Sequence, residues 1–408
     1  MDGVAGVQGI HDLDAMTKKR LLFTIDSLTI GGAERSLVTL LNLLDYTRYE
    51  VDLQLFAFGG ALEQFLPAEV HVLPPLNWTR YLAQPLWRQL LHPRMSAARM
   101  AYSLKIRRPG LSHADKACLY WQTVGKYIHP AAKTYDVAIG YAQGVPTFYT
   151  IDKVAAQKKY VWVNVDYRIS EGVRQYQRQF YQKSDAIVCV SDLVKDVFST
   201  EVFPEFGHKM QIMWDIIDGS MITRMAALKS EKSIDRSDPV LLTVGRLCNQ
   251  KGYDLAFQAA KILRDRGVRF RWYVVGRGYY QKEIEQYVAA NQLQEHFILL
   301  GATSNPYAYM RQCDVYVQTS RHEGFGLTIA EARMLDRPVV CTNFEGCTMQ
   351  LTDGRNGLIV PLDPAAIADA VERLLHDQQL YASIQAVQQN EKKGNTEEIK
   401  RFYQLIEQ

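Results

Sequence analysis

An apolar run that breaks at glycine and resumes as an amphipathic helix occurs near both ends of this chain, and it leaves little choice of architecture. In the first copy, Arg20 to Ile25 is apolar and is followed by Gly31-Gly32. From Ala33 to about Leu44, apolar residues then recur at helical spacing. In the second, Val315-Tyr316-Val317 leads through Gly324 and Gly326 to Leu327, Ile329, Ala330, Met334 and Leu335. Strands that alternate with helices form parallel, doubly wound sheets. Further strand-like runs lie at Val51 to Phe58, Val70 to Leu73, Asp136 to Tyr141, Lys159 to Val165 and Ala186 to Val190. A second series comprises Val240 to Val244, Phe270 to Val275, Ile298 to Leu300, Pro338 to Cys341 and Leu358 to Val360. The reading is α/β, with two doubly wound Rossmann-like domains. At 408 residues the chain has room for two cores.

The expected divisions are a disordered tail over 1–17, a first domain over 18–214 and a polar linker over 215–238. A second domain follows over 239–390, then a final helix over 391–408 that crosses back to the first. The tail carries Asp2, Asp12 and Asp14 and lacks the basic-then-apolar order of a secretory signal. A net charge of +3 is too small to argue for nucleic acid. The six cysteines form no C-x-x-C pair, and several sit in apolar runs, so they read as core residues of a reducing compartment.

The second glycine turn carries the chemistry. A strand, a glycine turn and a helix start leave unpaired N–H groups and a partial positive charge that suit a phosphate. Glu323 and Glu331 bracket the turn, eight residues apart. A phosphate cradle does not need two acids, so a ligand bearing hydroxyls is expected beside it. Arg246 and Lys251 follow the first strand of the second domain, where a parallel sheet opens to its ligands. Alone they read as surface cations. On the same sheet edge as the two glutamates they read as a diphosphate grip.

Several look-alikes fail. Gly276-Arg277-Gly278 lacks the third glycine of a dinucleotide fingerprint, because Gln281 stands there. His322-Glu323 has no second histidine at zincin spacing. Asp12-Leu13-Asp14 has no strand before it, and no P-loop is present. Between Trp78 and Arg108, seven basic residues occur without an acid, interleaved with Trp78, Tyr81, Trp87 and Tyr102. This segment fits an anionic membrane surface and equally a helix pair packed on its domain. RNA is the weaker alternative.

From about Arg20 to Val360 the chain resembles retaining glycosyltransferases of family four, whose fold is GT-B. The resemblance rests on G-G-A-E-R-S-L, on V-G-R-L followed by Lys251, on the Glu323-x7-Glu331 block, and on D-G-R-N-G-L-I-V from Asp353. It implies transfer of a hexose or N-acetylhexosamine from a nucleotide-sugar, UDP favoured over GDP, with retained configuration. No cofactor and no obligate metal are implied. Glu331 would hold the ribose, and Glu323 would sit at the donor sugar as nucleophile or electrostatic stabiliser. Arg246 and Lys251 would grip the diphosphate, and Gly324, Phe325, Gly326, Leu327 and Thr328 would complete the cradle. Gly31 and Gly32 would close it from the other domain. His113 and Asp166 are acceptor-side candidates. The acceptor would be a lipid-linked or polymeric envelope glycan, on the inner face of the cell membrane. The segment Phe344-Glu345-Gly346-Cys347 departs from the family's proline- and glycine-rich loop, which leaves the sugar open. A catalytically silent nucleotide-sugar binder is the alternative, and the oligomeric state is open.

Overall fold

The computed structural model describes residues 18–29, 31–165, 168–323, 325–344 and 346–407. The expected tail over 1–17, Gly324 and Asp166 lie outside them. The first sheet has seven strands: β1 (Lys19–Ile25), β2 (Tyr49–Leu55), β3 (Val70–Val72), β4 (Thr134–Gly140), β5 (Ala155–Val163), β6 (Ala186–Cys189) and β7 (Met210–Ile212). Their order is β3-β2-β1-β4-β5-β6-β7. The second has six: β8 (Val240–Val244), β9 (Arg271–Val275), β10 (Phe297–Gly301), β11 (Val315–Gln318), β12 (Val339–Thr342) and β13 (Leu358–Val360), in the order β10-β9-β8-β11-β12-β13. The ladders are parallel throughout. Helices on both faces bury these strands, which explains runs such as Val-Leu-Leu-Thr-Val in β8 with every residue buried.

In each sheet the strand order reverses beside the first strand, between β1 and β4 and between β8 and β11. Loops leaving the strand ends there splay apart and open a crevice. The two glycine turns follow β1 and β11, so the topology alone brings them to such crevices.

The 215–238 segment is more than a linker. A helix, Gly219–Ala226, starts with the Asp218 carboxylate accepting from the Ser220 N–H at 2.9 Å. Ile222, Met225 and Ala226 then enter the second domain's core. The polar character that suggested a linker belongs to the irregular stretch after it. The Asn305 side-chain amide ties this helix to the second domain by donating to the Met225 carbonyl at 2.7 Å.

The chain passes between the domains twice, and the two passages lie side by side. Asn395 accepts from the Ile217 N–H at 2.7 Å and donates to the Asp215 carbonyl at 3.0 Å. The last helix, Ile399–Glu407, packs on the first domain: Phe402 stacks on Phe23 at 5.9 Å, and Tyr160 donates to the Leu405 carbonyl at 3.0 Å.

Candidate active site

On the second domain, the loops after β8 and β11 are stitched together. Lys251 ends a short turn, and Gly252 beyond it has φ +64°. A Cβ on Gly252 would lie 1.9 Å from the Thr319 carbonyl oxygen, so glycine alone fits there. Thr319 donates to the Lys251 carbonyl at 2.9 Å, and Arg321 clamps Asp254 with two bonds at 2.8 and 2.6 Å. The stitching carries the Lys251 ammonium to the Glu323 carboxylate, with which it forms an ion pair. The same Glu323 oxygen accepts from Gln318 at 2.8 Å and from Ser320 at 2.5 Å. Three donors on one oxygen hold Glu323 rigidly at the C-terminal end of β11.

Gly326, at φ +77°, turns the chain into the helix Leu327–Met334. Neither this helix nor Gly32–Leu43 of the first domain has a side-chain cap on its first N–H groups. The two N-termini face each other: a Cβ on Gly32 would lie 3.2 Å from the Leu327 Cδ1. Two helix starts therefore converge where the domains meet. Glu34 lies over the first of them, its carboxylate 2.1 Å from where a Gly31 Cβ would be. Burial raises the Glu34 pKa, while its own backbone N–H and Arg246 oppose the shift.

Arg246 is exposed at the cleft and close enough to act on Glu34 and on His113. Burial and the charge of Arg246 hold the His113 imidazole below its ordinary pKa. At the end of β1, Asp26 presents its outer surface to solvent but is walled by the cleft. Those walls, with Glu34, push its carboxyl up to about 7.

Glu331 is buried at the floor of the crevice between the domains. Tyr307 donates to one of its oxygens at 3.0 Å, and Arg35 of the first domain reaches the other at 3.1 Å. That ion pair is close but poorly aligned. Glu331 Oε2 and Arg35 Nε and Nη1 are left without a hydrogen bond among the described residues. Burial pushes the Glu331 carboxyl above the usual carboxylate range, against the pull of Arg35 and Tyr307. Space for roughly two water molecules remains beside them. Among the described residues, no three His, Cys, Asp or Glu side chains meet as a cation site.

Of the residues singled out in the sequence, Lys251 pairs with Glu323, Gly32 beside Gly31 meets Leu327 just past Gly326, Arg246 acts on His113, and Glu331 lines the crevice floor with Leu327. Thr328 points inward, donating to Gln318 at 3.2 Å, and Phe325 offers its carbonyl to Gln350 at 3.0 Å. Sequence reasoning missed Arg35, Glu34, Tyr307 and Asp215. Arg35 and Glu34 stand inside the G-G-A-E-R string, but nothing in the string says what lies across the cleft.

Asp215 is buried on the first passage between the domains, with Oδ1 unpaired among the described residues. Burial raises its pKa from 3.8 to about 6, with Ser36 and Arg35 opposing. The raised value means that folding favours the protonated acid. The contribution of Asp215 to stability is therefore fullest below pH 3.8, falls as pH rises to about 6, and stays lower above it. Asp215→Asn is expected to gain up to ~3 kcal/mol at pH 8, where the buried charge is removed. Melting curves of both proteins from pH 8 to pH 4 check this, and the gap should close on acidification.

The model of the family Glycosyl transferases group 1 matches residues 225–392. Alpha-D-kanosaminyltransferase of Streptomyces kanamyceticus is 26% identical over 221 residues, 52% of this chain and 57% of that protein. The capsular polysaccharide biosynthesis glycosyltransferase CapM of Staphylococcus aureus is 31% identical over 144 residues, 35% and 38% of the two chains. The N-acetylgalactosamine-N,N'-diacetylbacillosaminyl-diphospho-undecaprenol 4-alpha-N-acetylgalactosaminyltransferase of Campylobacter jejuni is 29% identical over 208 residues, 49% and 53%. The chain thus spans about half or less of the length of these relatives. The fold likeness spans nearly the whole chain: Anabaena HepE, solved with UDP, superposes with a TM-score of 0.64 at 17% identity, over 96% of this chain and 100% of that one. A Rickettsia africae glycosyltransferase gives 0.63 at 17%, over 96% and 98%. Residues 225–392 thus resemble the group 1 glycosyl transferases, and the two parallel-sheet domains share the GT-B fold of the solved neighbours.

Proposed function

We propose that the chain transfers a hexose or N-acetylhexosamine from a nucleotide-sugar to a hydroxyl of a lipid-linked or polymeric glycan, with retention and without an obligate metal. The observation that carries this is the meeting of Arg246, Lys251, Glu323 and Glu331 with two uncapped helix starts at the sheet edges. Such a rim suits a group that is anionic in the middle and hydroxylated at both ends. UDP is favoured as the nucleotide because HepE was solved with UDP and with UDP-glucose. A lipid-linked acceptor is favoured by the name of the Campylobacter relative.

In this reading the nucleotide ribose replaces Arg35 on Glu331, and its hydroxyls satisfy the orphaned carboxylate oxygen. The diphosphate lies between Lys251, Arg246 and the Leu327 helix start. As the sugar–phosphate bond ionises, negative charge grows on the leaving diphosphate, and these fixed positive groups stabilise it without having to reorganise. Glu323 acts as a fixed negative charge beside the developing sugar cation. Three donors on its inner oxygen blunt it as a nucleophile, which supports the electrostatic role. His113 and Asp166 are proposed on the acceptor side.

Incubation with a panel of UDP- and GDP-sugars and a lipid extract should release free nucleoside diphosphate, and the product linkage should keep the donor's anomeric configuration. Binding of a nucleotide-sugar with neither transfer nor hydrolysis would favour a silent binder instead.

A further inference from the structure

The 78–108 segment was left open between a membrane surface and a packed helix pair, with RNA the weaker alternative. The structure divides it into an inner face that packs and an outer face without a partner. Trp78 and Tyr81 are buried, and Tyr102 packs edge-on against Tyr120 at 5.3 Å. Those aromatics belong to the core. A short helix, Leu86–Gln89, and a longer one, Pro93–Lys105, then run over the surface. They are tied to each other, since Ser96 donates to the Gln89 carbonyl at 2.8 Å and Arg99 bonds the Gln89 amide oxygen. They present one joined surface.

That surface is apolar where a solvated helix face should be polar. Leu86, Trp87, Leu90, Leu91, Met100 and Leu104 are each between 60 and 73% exposed. On the longer helix Ala97, Met100 and Leu104 follow at three- and four-residue steps, so they share one stripe. The stripe is opposite Ala98, which is buried, and Tyr102. Single exposed leucines are ordinary, but six large apolar side chains within nineteen positions are not.

The charge around them has one sign. No acid occurs between Glu69 and Asp115, while Arg80, Arg88, Arg94, Arg107 and Arg108 are exposed. Arg88 lies over the Trp87 ring at 4.9 Å, which places a cation and an amphipathic ring at the same level. A protein partner or a second copy would need acids opposite these cations, and a second copy would bring the same cations. Apolar side chains ringed by cations match an interface that is hydrocarbon inside and anionic outside. No helix among the described residues is long and apolar enough to cross a membrane, so the contact lies along the surface.

We infer that the outer face of the 86–108 segment docks flat on an anionic phospholipid bilayer. The leucines, Trp87 and Met100 enter the acyl boundary, and the arginines stay at the headgroups. The segment leads directly into His113 at the cleft mouth, so docking sets the acceptor side of the cleft near the bilayer. The docking itself does not depend on the proposed activity.

The test uses the full chain and extruded vesicles of phosphatidylcholine with or without phosphatidylglycerol. Co-sedimentation should show binding that requires phosphatidylglycerol and weakens as salt rises above about 0.1 M. Tryptophan emission should shift to the blue on binding. The double variant Leu90→Asp/Leu91→Asp should bind at least 10-fold more weakly with an unchanged melting temperature, since both side chains are exposed. Arg107→Gln and Arg108→Gln should each cost about 5-fold. Absence of binding to phosphatidylglycerol vesicles, or binding unaltered in the aspartate variant, would overturn the inference. So would a dimer in light scattering that the aspartate variant abolishes. A nucleotide melting shift on the same samples reports the donor site separately, so the two readings can fail independently.

Discussion

Lys251→Ala is expected to lower turnover by roughly 100-fold or more while the protein stays folded. Loss of one preorganised charge contact to a leaving group costs ~3–4 kcal/mol of transition-state stabilisation, and each 1.36 kcal/mol is about tenfold in rate. The Lys251 stem packs near Gly245, where a Cβ would lie 3.4 Å from its Cδ. Lys251→Met keeps that packing and removes only the charge. Both variants should therefore lose turnover alike, and Lys251→Met should melt close to the parent. The ion pair with Glu323 complicates the reading, but its outcome is separable. Glu323 keeps its bonds from Gln318 and Ser320 in either variant. Steady-state rates with a nucleotide-sugar decide, and near-normal turnover in Lys251→Met would remove the ammonium from the mechanism.

Arg35→Leu is expected to destabilise the ligand-free protein by ~3 kcal/mol, because it leaves Glu331 as an unpaired buried carboxylate. The loss has a signature beyond its size. Glu331 already sits above the usual carboxylate range through burial. Without Arg35 the folded state would favour its protonated form more strongly, so the deficit should be largest near pH 8 and shrink as pH falls. A saturating nucleoside diphosphate should recover much of it, because ribose hydroxyls then donate to Glu331 in place of the guanidinium. Melting with and without UDP measures all three effects. An unchanged melting temperature would mean that the ion pair contributes nothing to closing the domains, and no recovery with UDP would place the ribose elsewhere.

Arg35 also marks the limit of what the chain reveals as a string. Strand, glycine and helix follow from local pattern, so β1, β8, β11 and the two glycine turns were readable one at a time. The parallel order then placed Arg246, Lys251 and Glu323 at one sheet edge without coordinates. A contact between Arg35 and Glu331 is of another kind. The two residues are almost three hundred positions apart, on different sheets, and only the paired passages at Asp215–Asp218 and Asn395 bring them together. The Gly219–Ala226 helix was legible and overlooked. Asp218 as a cap, with Ile222, Met225 and Ala226 at helical spacing, was present, but the charged residues after it dominated the composition. In the 78–108 segment, composition alone could not separate the aromatics that pack inward from the Trp87, Leu90 and Leu91 that do not. Burial decides that, and burial depends on Tyr120 of a later helix.

Calorimetric titration of UDP into the full chain, beside Glu331→Gln and Lys251→Met, tests the central claim most directly. Saturable binding of one nucleotide per chain is predicted, at least 10-fold weaker in each variant. No heat with the parent protein, or equal affinity in all three proteins, would contradict a nucleoside diphosphate seated between Lys251 and Glu331.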